Sequence, residues 1–128
     1  MQLERREKES VENYLASILD IEKRNGRCYS VDVSHDLNVA KASVSVAMKK
    51  LSEQDLVSFG PTHQLVLSEA GHAIAKEVLA KRKLLKEALM AIDVDEETAE
   101  ADAHEIEHSI SKETNKKLYQ YLRRQMKK

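Results

Sequence analysis

The residues best suited to chemistry in this 128-residue chain are His104, Glu107 and His108, two imidazoles four positions apart with a carboxylate between them. A helix brings positions three and four apart onto one face, so these three would stand beside Glu100 and Ser111. Imidazole suits transition metals and carboxylate admits harder ions, and such a trio can hold a divalent cation. The same stretch, His104-Glu105-Ile106-Glu107-His108, spells H-E-x-x-H, the zinc-peptidase pattern in which the glutamate activates water. That reading is the remote alternative. Glu107 puts a charge where the peptidases it resembles carry none, and after His108 the only acidic residue is Glu113, too close to serve as a third ligand. The plain alternative for the whole helix is a solvated acidic face with surface histidines.

A second set lies earlier in the chain, where Lys41, Ala42, Ser43, Ser45, Val46, Lys49 and Lys50 face outward on a helix whose other side carries Val44, Ala47, Met48 and Leu51. Short Ser and Ala side chains admit close approach to base edges, Val46 can pack on a thymine methyl, and the lysines supply phosphate contacts. Read without context, this is a polar surface helix.

Its context is specific. A first helix carries Val11, Tyr14, Leu15, Ile18 and Ile21 on one face and ends at Asn25-Gly26. A brief helix follows, capped by Ser30, with Val33 and Leu37 inward and Asn38 at its end, a residue that tolerates left-handed backbone. A tight turn then leads to the helix from about Ala42 to Gln54, which completes a helix-turn-helix. Leu56 to Phe59 and Gln64 to Leu67 read as strands around a Gly60-Pro61-Thr62-His63 turn, a wing-sized hairpin with Thr62 and His63 at its tip and no Lys or Arg. Ser68 caps a long helix to about Ala91 carrying Ile74, Val78, Leu85, Leu89 and Ile92, Asp95 caps another to about His108, and Ser111 starts a last one ending near Met126. The predicted fold is therefore mostly α, a winged helix-turn-helix over residues 1–70 followed by a helical region over 71–128.

Composition bounds the rest. Hydrophobic residues make up 41% and charged residues 34%, Trp is absent and Pro occurs once, which suits helices. No stretch approaches the roughly 18 apolar residues of a membrane span, so no membrane partner and a cytoplasmic location are expected. Net charge is −1, but eight acidic residues and no Lys or Arg lie from Asp93 to Ser111, while Lys112 to Lys128 holds seven basic residues and one acidic. Cys28 is the single cysteine and cannot form an intramolecular disulfide; it reads as a small buried residue. No catalytic residue is assigned.

The run Asp36-Leu37-Asn38-Val39-Ala40-Lys41-Ala42-Ser43-Val44-Ser45, with Lys49-Lys50-Leu51, Gln64 to Gly71 and His104 to His108, resembles the diphtheria toxin repressor and manganese transport repressor family over about residues 8–126. The resemblance implies a short form without an SH3-like domain: a regulator responsive to Mn or Fe, dimeric through its C-terminal helices and bound to palindromic double-stranded operator DNA as a repressor. It places metal ligands at His104, Glu107 and His108. Three matched positions depart from the family, because Asn13 and Ala16 stand where its first helix gives acidic or thioether ligands and Arg82 where its long helix gives a histidine. Arg82 is expected to pair with Glu107 and put a fixed positive charge where a metal would sit. For the dimer contact, the stripe Ala99, Ala103, Ile106 and Ile110 and the residues Leu118, Tyr119, Tyr121 and Leu122 are available. A helical protein-interaction module that has lost metal response is the alternative function.

Overall fold

The computed structural model describes residues 2–126, with side chains from Ser10 to Gln125. The chain divides into two compact units, Met1–Val78 and Leu79–Lys128.

In the first unit α1 (Gln2–Asn25), α2 (Ser30–Leu37) and α3 (Lys41–Glu53) precede a hairpin of β1 (Val57–Phe59) and β2 (Leu65–Leu67), and α4 (Glu69–Ala91) then begins. The expected apolar face of α1 is buried at Leu15, Ile18 and Ile21, and Val33 of α2, Val44, Met48 and Leu51 of α3, and Leu65 of β2 are likewise buried in this unit. Burial of each such side chain is worth about 1.5–3 kcal/mol, and the core draws on every element, so none folds alone. Gly26, at φ 83°, stops α1 by returning its N–H to the Glu22 carbonyl at 2.8 Å.

The turn between α2 and α3 is set by Asn38, which takes the left-handed conformation at φ 53°, ψ 51°. Ser34 fastens it from both sides: its carbonyl accepts from Val39 N at 3.1 Å and its hydroxyl donates to the Val39 carbonyl at 2.6 Å. The α2 start corrects the sequence reading. Ser30 is the first helical residue rather than the cap; Tyr29 is the N-cap, and its N–H is bonded by the Asp32 carboxylate at 2.9 Å. Across the helices, Ser17 on α1 donates to Asp36 on α2 at 2.6 Å, and Arg24 lies 3.6 Å from the same carboxylate.

The hairpin pairs Val57 with Leu67, Ser58 with Val66 and Phe59 with Leu65 in antiparallel register. The N–H of Leu65 also reaches the Cys28 carbonyl at 2.8 Å, tying the wing to the segment after α1. Ser68 caps α4 as expected, accepting from Gly71 N at 3.0 Å, and it donates to the Leu56 carbonyl at 3.2 Å.

In the second unit the later part of α4 packs with α5 (Glu96–Ser109) and α6 (Lys112–Met126) around Leu85, Ala103, Tyr119 and Leu122. Asp95 caps α5 through Thr98 N at 3.1 Å and Ser111 caps α6 through Thr114 N at 3.1 Å. Two expectations change here. Ile92 is 71% exposed, because α4 ends at Ala91 and Asp93 turns the chain at φ 72°. Tyr119 and Leu122 fill this subunit's own core, leaving Tyr121 as the exposed tyrosine of α6.

Among the described residues, no helix is long and apolar enough to cross a membrane.

Candidate nucleic-acid interface and regulatory cluster

Helix α3 separates its two sets of residues cleanly. Val44, Met48 and Leu51 are buried and Ala47 is half-buried, whereas Lys41, Ala42, Ser43, Ser45, Val46, Lys49 and Lys50 are all exposed. Val46, an apolar side chain, is 58% exposed on that face. The start of the helix is bare. Its N-cap, Ala40, offers no side-chain acceptor, and its first turn holds no acidic residue while Lys41 stands there. Free first-turn N–H groups beside a lysine favour an approaching anion.

The wing tip exposes Thr62 and His63, with His63 in left-handed backbone at φ 64°. Gln64 organises the turn, its side-chain oxygen accepting from the Thr62 N–H at 2.9 Å and the Thr62 hydroxyl at 2.6 Å. The Thr62 hydroxyl also lies 3.2 Å from the Tyr29 hydroxyl. Hydrogen bonds from Thr62 and then Arg27 hold the Tyr29 phenol below its usual range. No local pattern links Tyr29 to Thr62, thirty-three positions later; the folded hairpin brings them together.

In the second unit Glu107 faces Arg82. The Arg82 Nε donates to Glu107 Oε2 at 2.9 Å, with the two side chains only 20% and 11% exposed, so the expected pair is formed. Asn115 Nδ2 bonds the Glu107 carbonyl at 3.1 Å and fixes α6 to α5. The His104 and His108 rings meet edge-on with centroids 5.0 Å apart. Burial, followed by the positive charge of Arg82, pushes the His104 imidazole below its ordinary value. Burial and then the Glu107 charge push the Tyr119 phenol up to about 12, so that group stays protonated.

His104, Glu107 and His108 thus share α5 as expected, but they do not close on a common point. Among the described residues, no group of three His, Cys, Asp or Glu side chains is placed to hold a metal ion. Asn13 is half-buried and Ala16 fully buried on α1, and neither brings a carboxylate. These residues do not fit a bound divalent ion. Glu105, the glutamate that a peptidase would use, is exposed on α5.

A helix-turn-helix followed by a hairpin, ahead of a separate helical unit, defines a winged-helix DNA-binding regulator. Residues 8–65 match the iron dependent repressor, N-terminal DNA binding domain, and residues 68–127 match the iron dependent repressor, metal binding and dimerisation domain. The chain belongs to the iron-dependent repressor family, the family of the diphtheria toxin and manganese transport repressors that its motifs resemble. It is 32% identical over 112 residues to an uncharacterised helix-turn-helix transcriptional regulator of Methanocaldococcus jannaschii, covering 86% of this chain and 90% of that one. Against the transcriptional regulator MntR of Bacillus subtilis it is 30% identical over 102 residues, 80% of this chain and 72% of the relative. Among solved structures, IdeR of T. acidophilum superposes with a TM-score of 0.70 at 24% identity, covering 83% of this chain and 50% of that one. The metal-dependent transcriptional regulator MtsR gives 0.72 at 21% identity, covering 88% and 53%. The chain therefore spans about half the length of these structural neighbours.

Proposed function

We propose that this chain is a cytoplasmic, homodimeric transcriptional repressor that lays α3 in the major groove of palindromic operator DNA. The observation that carries this reading is the face of α3, where seven expected contact residues are all exposed on a helix held by the Asn38 turn. Ala42, Ser43, Ser45 and Val46 would read base edges, while Lys41, Lys49 and Lys50 would hold phosphates, with Thr62 and His63 on the flanking backbone.

Residues 1–70 would serve as the DNA-binding part and 71–128 as the dimerisation and regulatory part. A winged helix reads one half-site, so a two-fold operator needs a second copy. The match of residues 68–127 to a dimerisation domain supports that partner. Mn or Fe is the effector class of the family, and in this chain Arg82 stands against Glu107.

Fluorescence anisotropy against the chain's own upstream duplex tests the reading. Binding should weaken steeply with salt, and Lys49→Ala or Lys50→Ala should each reduce the logarithmic salt slope by about 1. Ser43→Ala or Val46→Ala should instead relax sequence preference. Salt-insensitive behaviour with no duplex binding would favour the protein-interaction module.

A further inference from the structure

Glu107 is a carboxylate with one-ninth of its side chain exposed, in the unit whose core holds Tyr119, a neutral phenol. A buried carboxylate needs a positive partner in contact, since its desolvation is otherwise uncompensated. Here the partner is covalently attached. Arg82 projects from α4 and meets Glu107 on α5 at 2.9 Å, and a guanidinium stays charged across the whole physiological range. In the same unit the Lys81 ammonium lies 5.5 Å from the centre of the Tyr119 ring.

We infer that Arg82 acts as a tethered substitute for a metal ion, joining α4 to α5 through Glu107 so that the regulatory unit holds its DNA-competent form without Mn or Fe. The inference rests on the DNA-binding reading above and goes on to its regulation. Three features point the same way. One oxygen of the Glu107 carboxylate is already engaged by Arg82 at hydrogen-bond distance. No three ligand side chains converge among the described residues. An arriving divalent cation would also have to enter beside the Arg82 guanidinium, with like-charge repulsion acting inside a poorly hydrated site. A bound ion can be withdrawn by a chelator or by scarcity, whereas an arginine cannot. The element that reports ion supply elsewhere would here be fixed in one position, and any signal would enter by another route.

The full-length protein, stripped with EDTA and exchanged into chelator-treated buffer, should bind its upstream duplex as tightly as after addition of Mn(II) or Fe(II), within about twofold. In parallel, the EPR signal of free Mn(II) should be undiminished by stoichiometric protein, and Mn(II) should leave the melting temperature unchanged. Arg82→His adds an imidazole beside Glu107, His104 and His108 and removes the fixed charge; it should take up Mn(II) and make DNA affinity metal-dependent, by about 5–150-fold.

DNA binding that appears only with metal, or loss of the free Mn(II) signal on the unaltered protein, would overturn the inference and show a rearranged site on His104, Glu107 and His108, while the repressor reading would stand. If no duplex is bound under any condition, the repressor reading fails instead, and the EPR and melting results on the unaltered protein still decide whether Arg82 has replaced the ion. They also decide it if Arg82→His does not fold.

Discussion

Gly71 shows how a single missing atom can govern a junction. In a helix interior alanine normally outdoes glycine by about 1 kcal/mol. At Gly71 the order should reverse, because a Cβ there would run into the Leu56 carbonyl oxygen. That carbonyl already accepts from the Ser68 N–H and hydroxyl, so it cannot withdraw without loosening the cap of α4. Gly71→Ala should destabilise the first unit by about 1–3 kcal/mol in urea unfolding. A neutral or stabilising outcome would mean that the hairpin and α4 shift apart freely. The residue scale is also where the sequence was least legible. The Gly71 contact, the Thr62–Tyr29–Arg27 chain and the Ser17–Asp36 bond each join positions far apart in sequence, and no local pattern records them. The Arg82–Glu107 pair was legible, because opposite charges fell on two positions that the family resemblance already linked.

Caps and periodicity govern the elements. The 3.6-residue pattern located α1, α3 and the middle of α4, since it reports the same one-sided burial that holds those helices in place. It failed at Ile92, where the hydrophobic rhythm continued but the chain had already turned at Asp93. It was also silent on whether Tyr119 and Leu122 face their own core or a partner, because either arrangement buries the same stripe. Capping chemistry was legible at Ser68, Asp95 and Ser111; the α2 cap was missed because a tyrosine stands there, with Asp32 reaching back to satisfy it. Asp95 yields a pH-dependent expectation. Hydrogen bonding to Thr98 holds its carboxyl below the ordinary 3.8, so its contribution is complete above that value and fades as the pH falls through the lower folded-state value. Stability curves of the native protein and Asp95→Ala should therefore differ near neutrality and converge in strong acid. Curves that stay parallel down to strong acid would show that α5 does not depend on this cap.

At the scale of the whole molecule, a net charge of −1 conceals a division of labour. The exposed lysines of α3 and the Arg27 guanidinium provide local positive potential, while the acidic residues are concentrated on α5. Binding should accordingly follow the local field rather than the total. Arg27→Ala should weaken duplex binding about uniformly across sequences and lower the salt slope by about 1, the signature of a phosphate contact. An unchanged slope would confine Arg27 to a structural role beside Tyr29. The compact first unit runs past Ser68 to Val78, with Ala75 and Val78 buried.

The tie between the Cys28 carbonyl and Leu65 has a kinetic consequence. Cys28 is fully buried, and burial followed by the charges of Asp32, Glu22 and Asp36 pushes its thiol up to about 12. A thiol reagent needs both access and thiolate, so it can react only in molecules in which the packing over Cys28 has opened locally. Alkylation of this single cysteine is therefore an intrinsic clock for that opening event. If operator DNA docks on α3 and the wing as proposed, it should slow this reaction, giving a readout of occupancy that requires no label on either partner.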